Sequence, residues 1–281
     1  MKIILYTSFA LFAFAFNSIL CRLALGTEAI DAASFTLVRL ISGAIVLVII
    51  SLFFGKKETK GGNWFSAFFL FGYAICFSFA YVSLTTATGA LILFGCVQAT
   101  MIIAALLSGE RPKFLEWIGL LFALGGLVYL VFPGLSAPPI FSSLLMMCAG
   151  ISWGFYTLRG KGSKNPLADT TGNFVRAVPM IALVSLPFLS QIHLSNKGVL
   201  LAVLSGAIAS GLGYSVWYAA LEFHTATRAA ILQLSVPALA AIGGVAFLAE
   251  TISFRLLSAT ALILGGIALA IFGRKYKKAN Q

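Results

Sequence analysis

Ten apolar runs, each about the length of a membrane-spanning helix, take up most of the chain, at about 3–21, 34–54, 64–84, 88–107, 115–132, 141–158, 171–189, 199–221, 228–248 and 254–272. In hydrocarbon every backbone N–H and C=O must be satisfied within the segment, so a run of about 20 such residues is restricted to a helix that crosses the bilayer. A soluble reading fails on composition. Hydrophobic residues make up 60% of the 281 positions and charged residues only 10%, where a soluble domain carries about a quarter. The first run resembles a signal peptide, with Lys2 ahead of an apolar stretch holding Ala13-Phe14-Ala15. It continues past that point, however, and is expected to remain as the first span.

The basic residues fix the expected orientation. With both termini in the cytoplasm, inner loops and tails collect 14 of the 19 Lys and Arg, and the outer loops hold only Arg22, Lys197 and Arg255. Arg39 and Arg176 lie within spans. This asymmetry predicts a multi-pass protein of the cytoplasmic (inner) membrane, with the lipid bilayer as its partner. It also accounts for the net charge of +11 without nucleic acid, for which no binding is expected.

The chain then repeats itself. Thr86 to Leu130 is written again as Thr225 to Ile271: Thr86-Ala87-Thr88 returns as Thr225-Ala226-Thr227, and Glu110, Phe114, Gly125 and Gly126 return as Glu250, Phe254, Gly265 and Gly266. Arg22 and Arg39 are 17 residues apart, as are Arg159 and Arg176. Two homologous halves are expected, at 1–135 and 138–281, around the connector PGLSAPP. Five helices is an odd number, so the second half must insert upside down. The fold class expected is an all-α polytopic membrane protein of ten transmembrane helices, built as two inverted five-helix repeats.

Two helices ending in Gly109-Glu110 and Ala249-Glu250, each followed by a helix carrying Gly-Gly, together with FTLVRLISGAIVLVIISLF over 35–53, resemble the EamA domains of the drug/metabolite transporter superfamily. The resemblance covers nearly the whole chain, as two EamA repeats. It implies movement of small metabolites through a central cavity between the halves by alternating access. One departure stands out: Val97-Gln98 occupies the place of Val236-Pro237, so the proline usual in that helix occurs only in the second half.

Ionisable side chains within a span are costly, which makes Arg39 and Arg176 candidates for function. They either snorkel to the headgroups or act as gates, Arg39 pairing with Glu250 at the outer side and Arg176 with Glu110 at the inner side as access alternates. Glu110 and Glu250 also read simply as carboxylates marking the membrane boundary. No Asp, Glu or His falls in the middle of a span, which disfavours a midplane proton-coupling carboxylate.

Candidates to line a substrate cavity are Asn17, Tyr81, Gln98, Trp153, Tyr156, Tyr214, Trp217, Tyr218 and Gln233, polar or aromatic residues placed away from the span ends. A buried amide in lipid needs a partner, so Gln98 and Gln233 face either protein or water. Trp64 and Trp117 read as interfacial belt. The cysteines stand singly and carry no redox or metal pattern. Gly125-Gly126 and Gly265-Gly266 lack the context of a phosphate loop; they assign the fifth and tenth helices to close packing, with homodimer contacts as one use. Pro179, Pro187 and Pro237 mark kinks.

With no Walker motif, no cofactor and no metal expected, the leading function is a secondary transporter for a small organic metabolite, an amino acid or a related compound. The runner-up is a membrane-embedded enzyme acting on a lipid or isoprenoid. Its acid-base chemistry would need clustered groups, whereas His193 and His224 fall on opposite sides of the membrane in the expected topology.

Overall fold

Polar residues cap the starts of several of the helices. A computed structural model describes residues 2–54, 61–107, 114–132, 137–160, 163–221, 223, 232–233 and 235–275. Asn63, Asn165 and Ser195 accept from the N–H groups of Ser66, Ala168 and Gly198 at the starts of three helices, satisfying donors that lipid would leave bare. The helices are α1 (Lys2–Leu25), α2 (Ala32–Phe54), α3 (Trp64–Tyr81), α4 (Thr86–Leu107) and α5 (Phe114–Val131), then α6 (Ile140–Gly160), α7 (Pro166–Ser185), α8 (Asn196–Leu221), α9 (Ser235–Leu248) and α10 (Phe254–Lys275).

Among the described residues, seven helices (α1–α4 and α6–α8) are long and apolar enough to span a membrane, and α5, α9 and α10 contribute shorter apolar helical stretches. The protein is a nearly all-helical, multi-pass membrane protein. The expected ninth span over 228–248 is described at 232–233 and from Ser235, and the repeat triplet Thr225–Thr227 lies outside the described residues, as does Glu110. Arg22, expected in an outer loop, sits instead in the last turn of α1.

Two ends of the bundle are defined by their contacts. At the Glu250 end, the loops before α2 and α8 are joined by an antiparallel bridge between Ile30 and Leu194, with Asp31 N–H donating to His193 O at 3.1 Å and Ser195 N–H to Ala29 O at 3.1 Å. At the Asp169 end, Gly62 N–H donates to Asp169 Oδ1 at 2.8 Å and Asn63 N–H to Asn173 Oδ1 at 2.9 Å. The helices therefore alternate: α1 and α3 run toward the Glu250 end and α2 and α4 away from it, whereas α7 and α9 run toward it and α6 and α8 away.

Two regions depart from ideal helix. Pro179 lies inside α7, which gives way at Leu186–Gln191 to a 3₁₀ turn containing Pro187. Ser205–Leu212 in the middle of α8 is π-helical. There Gly206 packs on α2: a Cβ added to it would stand 2.1 Å from both Arg39 O and Ser42 Oγ. On the rim of the bundle α5 and α10 pack on each other. Gly266 faces the backbone of Gly119 and Ala123, and Gly126 faces Leu262 and Ile263, while a Cβ on Gly125 or Gly265 would meet nothing within 4 Å. Only one glycine of each pair serves the interface.

Candidate functional site at the centre of the bundle

The π-helical segment sets α8 against α2 at Arg39, whose side chain is among the most buried in the protein at 1% exposure. Arg39 Nε donates to Ser210 Oγ at 3.2 Å, and Nη2 donates to the hydroxyls of Tyr73 at 3.1 Å and Tyr214 at 3.4 Å. Its guanidinium also lies over the rings of Phe77 and Tyr73, at 5.0 and 5.2 Å from their centroids, close enough for cation–π attraction. The network continues through Asn17, which donates to Tyr73 Oη at 3.3 Å and accepts from Ser205 Oγ at 2.6 Å. Six polar side chains from α1, α2, α3 and α8 thus form one buried chain of hydrogen bonds.

Beside it lies a cavity of about 10 Å³, lined by Phe14, Asn17, Ser18, Tyr73, Phe77, Leu93, Phe94, Trp153 and Tyr214. That is room for about one water molecule. Its aromatic wall is continuous: Trp153 lies 4.7 Å from Tyr214 and 4.8 Å from Tyr73 between ring centroids, and Phe14 meets Trp217 edge-on at 5.7 Å.

The Glu250 end is closed over this site. Ala249 takes a left-handed φ of 53°, which turns the chain after α9 and lets Glu250 N–H donate to Gly244 O at 3.1 Å. The Glu250 carboxylate accepts from Thr86 N–H at 2.9 Å and Thr86 Oγ1 at 3.1 Å, so a negative charge caps the N-terminus of α4, where the helix dipole favours it. Arg22 Nε stands 3.7 Å from Glu250 Oε1, and Arg22 Nη1 donates to Val82 O at 2.8 Å. A side chain at position 244 would strike this arrangement, since a Cβ there would lie 2.4 Å from Glu250 Oε2. Tyr81, fully buried, crosses beneath and donates to Thr86 O at 3.2 Å.

At the Asp169 end a second cavity, of about 40 Å³, is lined by residues that include Tyr156, Arg159, Asp169, Asn173 and Tyr218. Asn173 donates to the Tyr156 hydroxyl at 3.4 Å, and Arg159 donates to Ser66 Oγ at 3.0 Å.

Of the residues singled out by sequence, Asn17, Trp153 and Tyr214 share the central cavity, Tyr156 and Tyr218 share the second, Trp217 packs behind the first, and Tyr81 belongs to the closed end. Gln98 and Gln233 are buried; Gln98 Nε2 and Gln233 Oε1 have no hydrogen-bond partner among the described residues. The expected pairing of Arg39 with Glu250 is not formed, because Arg39 turns into the bundle while Glu250 is held by Arg22 and Thr86. Arg176 donates to Gly61 O at 3.0 Å and Gly172 O at 2.8 Å. Its expected partner Glu110 lies outside the described residues. Sequence reasoning passed over Tyr73, Ser205 and Ser210. Tyr73 carried the same mid-span signal as Tyr81, and the two serines sit in the glycine-rich run SGAIASGLG that becomes the π segment. Among the described residues no three His, Cys, Asp or Glu side chains come together as a metal site would need.

Known proteins resemble this chain along its length. The family described as the EamA-like transporter family matches residues 1–132 and again 140–272. An uncharacterized protein of Pseudomonas aeruginosa is 49% identical over 281 residues, 100% of this chain and 98% of its own. The threonine/homoserine exporter RhtA of Escherichia coli K12 is 30% identical over 187 residues, 63% of this chain and 61% of its own. A probable amino-acid metabolite efflux pump of Salmonella typhimurium is 23% identical over 197 residues, 65% of this chain and 66% of its own. One crystal structure superposes with a TM-score of 0.67 at 21% identity, covering 95% of this chain and 99% of its own, a likeness of fold.

Proposed function

We propose, for a chain that belongs to the EamA-like transporter family, secondary transport of a small organic metabolite, an amino acid or a close relative of one, across the cytoplasmic membrane by alternating access. The observation that carries this reading is the buried hydrogen-bond chain at the centre of the bundle. Asn17, Arg39 and Tyr73 come from the first matched segment and Ser205, Ser210 and Tyr214 from the second, and they meet beside a cavity under a closed end. Polar groups are expensive at that depth and are retained where a polar solute passes.

An inverted repeat supports the mechanism. The helices that correspond in the two segments, α1 with α6, α2 with α7, α3 with α8 and α4 with α9, run in opposite directions. In such a pair of halves, exchange of their conformations turns one end-closed state into the other. With both termini cytoplasmic, as the 14-to-3 distribution of basic residues favours, the Glu250 end is external. Arg22, Glu250 and Thr86 then form the outer gate. The names of two relatives, a threonine/homoserine exporter and a probable amino-acid metabolite efflux pump, support amino acids as cargo.

The test is flux of radiolabelled amino acids in vesicles holding purified protein in a known orientation. Saturable flux above that of empty vesicles, reduced by Trp153→Ala or Asn17→Ala, is expected. Folded protein that moves none of them would overturn the reading.

A further inference from the structure

Arg39 carries a charge that nothing described in the protein neutralises. A guanidinium stays protonated in any protein environment, and a cation in the membrane interior ordinarily faces a counter-ion or water. Among the described residues Arg39 has no carboxylate partner, and it has no solvent-exposed face. Among the described residues the one ion pair is Arg22 with Glu250, and the described acidic side chains, Glu28, Asp31, Asp169 and Glu250, sit in loops or terminal turns at the two ends of the bundle. The described partners of Arg39 are neutral hydroxyls and ring faces, and Nη1 is buried with no hydrogen-bond partner among the described residues. The site therefore holds one full positive charge and one unused donor.

The surroundings show where an anion would enter. On the α8 side the backbone is closed, since Gly206 lies directly against Arg39 O and leaves no room even for a Cβ. On the other side the groups that hold the guanidinium, Tyr73, Phe77 and Tyr214, are also the wall of the central cavity. A carboxylate arriving through the cavity displaces Tyr73 and Tyr214 from Nη2 and takes over charge-assisted hydrogen bonds that neutral hydroxyls only partly replace. The planar fork of arginine fits a carboxylate with two parallel bonds. The opposite wall, Phe14 and Trp153, is apolar and aromatic, suited to a short side chain and to an ammonium over a ring face.

We propose that Arg39 is the anion-recognition residue of the transport site, and that the carboxylate of the metabolite is its counter-ion, bound at the guanidinium with the help of the Tyr73 and Tyr214 hydroxyls. This rests on the transport reading for its cargo but makes a separate claim, about binding. Loading places one negative charge against one positive charge, so the cargo carries a single carboxylate in contact with Arg39. A metabolite whose carboxylate is blocked is not recognised.

Binding and flux separate the two claims. Purified protein in detergent is melted with each of the common L-amino acids, with the matching 2-hydroxy acids, with the amides of both series, and with the amines and alcohols that remain when the carboxylate is removed. Flux of the same compounds is followed in proteoliposomes. The expected result is that some carboxylates raise Tm while their amides and amines do not, and that Arg39→Gln loses that shift by at least tenfold in ligand concentration. Ser210→Asp, which installs an internal carboxylate next to Arg39 Nε, is expected to raise the basal Tm and abolish the ligand shift, and it decides the matter if Arg39→Gln does not fold. The inference is overturned if amides shift Tm as well as acids do, if either variant keeps the carboxylate shift, or if no carboxylate shifts the wild type. Carboxylate binding without flux of any compound would instead refute transport and leave the anion site standing.

Discussion

Replacing Glu250 by Gln should release the closed end. The glutamine keeps the shape of the side chain and one carbonyl acceptor for Thr86, but it loses the charge that sits on the first N–H of α4 at 2.9 Å. The charge-assisted part of that hydrogen bond together with the helix-dipole term contributes about 1–2 kcal/mol. The pair with Arg22, at 3.7 Å and with the Arg22 side chain 22% exposed, adds no more than about 1 kcal/mol. A loss of about 2 kcal/mol specific to the closed state multiplies the population open at this end by roughly 30, at a factor of ten per 1.4 kcal/mol. Ser18, which lines the central cavity at 1% exposure, is a suitable reporter. In a background with Cys21, Cys76, Cys96 and Cys148 replaced, Ser18→Cys should react with a membrane-impermeant maleimide about 30 times faster once Glu250→Gln is added. The same reagent applied to inside-out and right-side-out vesicles identifies the face on which Glu250 lies. A change below about threefold, or an equal change from Glu28→Gln in the neighbouring exposed loop, would refute the role given to the carboxylate.

Gly244→Ala puts a methyl where Glu250 Oε2 lies and should mimic Glu250→Gln in the same labelling assay, with a smaller effect if the carboxylate can swing aside. Gly206→Val drives a side chain into Arg39 O and Ser42 Oγ; a cost of about 1–3 kcal/mol is expected for such overpacking, read as a lower Tm in detergent together with loss of substrate binding. Gly266→Leu, against the backbone of Gly119 and Ala123, should lower Tm while leaving the apparent affinity for cargo unchanged, because α5 and α10 stand apart from the cavity. Tyr156→Phe leaves the Asn173 Nδ2 group without its hydroxyl partner and should cost about 1–3 kcal/mol in thermal unfolding.

The helices were legible because lipid leaves a chain few choices. Every apolar run that could cross the bilayer is described as helix over most of its length, and the error falls at an end, where Arg22 is helical because a terminal turn tolerates a charge that the next turn inward would not. The site was half legible. Asn17, Trp153 and Tyr214 stood out as polar or aromatic residues at depth, but their depth says nothing about which helices face one another. That is why Arg39 was matched to Glu250, which shares its end of the membrane, when the guanidinium in fact turns toward α8. The π segment was unreadable for a different reason. Its glycines and serines match ordinary small-residue packing, and the widened turn follows from the approach of α2, a contact between residues more than 160 positions apart in sequence.

The bridge between Ile30 and Leu194 gives the closed end two kinds of fastening. Along one side a seam of backbone runs from Ala29 to Ser195, with Asp31 and His193 exchanging bonds in both directions at 3.1 Å. Along the other a single carboxylate holds α9 to α4. When such an end parts, the singly held side yields first, and the stitched side stays together because several bonds would have to break at once. In the alternating access proposed above, the seam would serve as the axle while the edge at α4 and α9 swings, so a disulfide sewn across Ile30 and Leu194 should leave flux intact where one sewn across Thr86 and Glu250 should stop it.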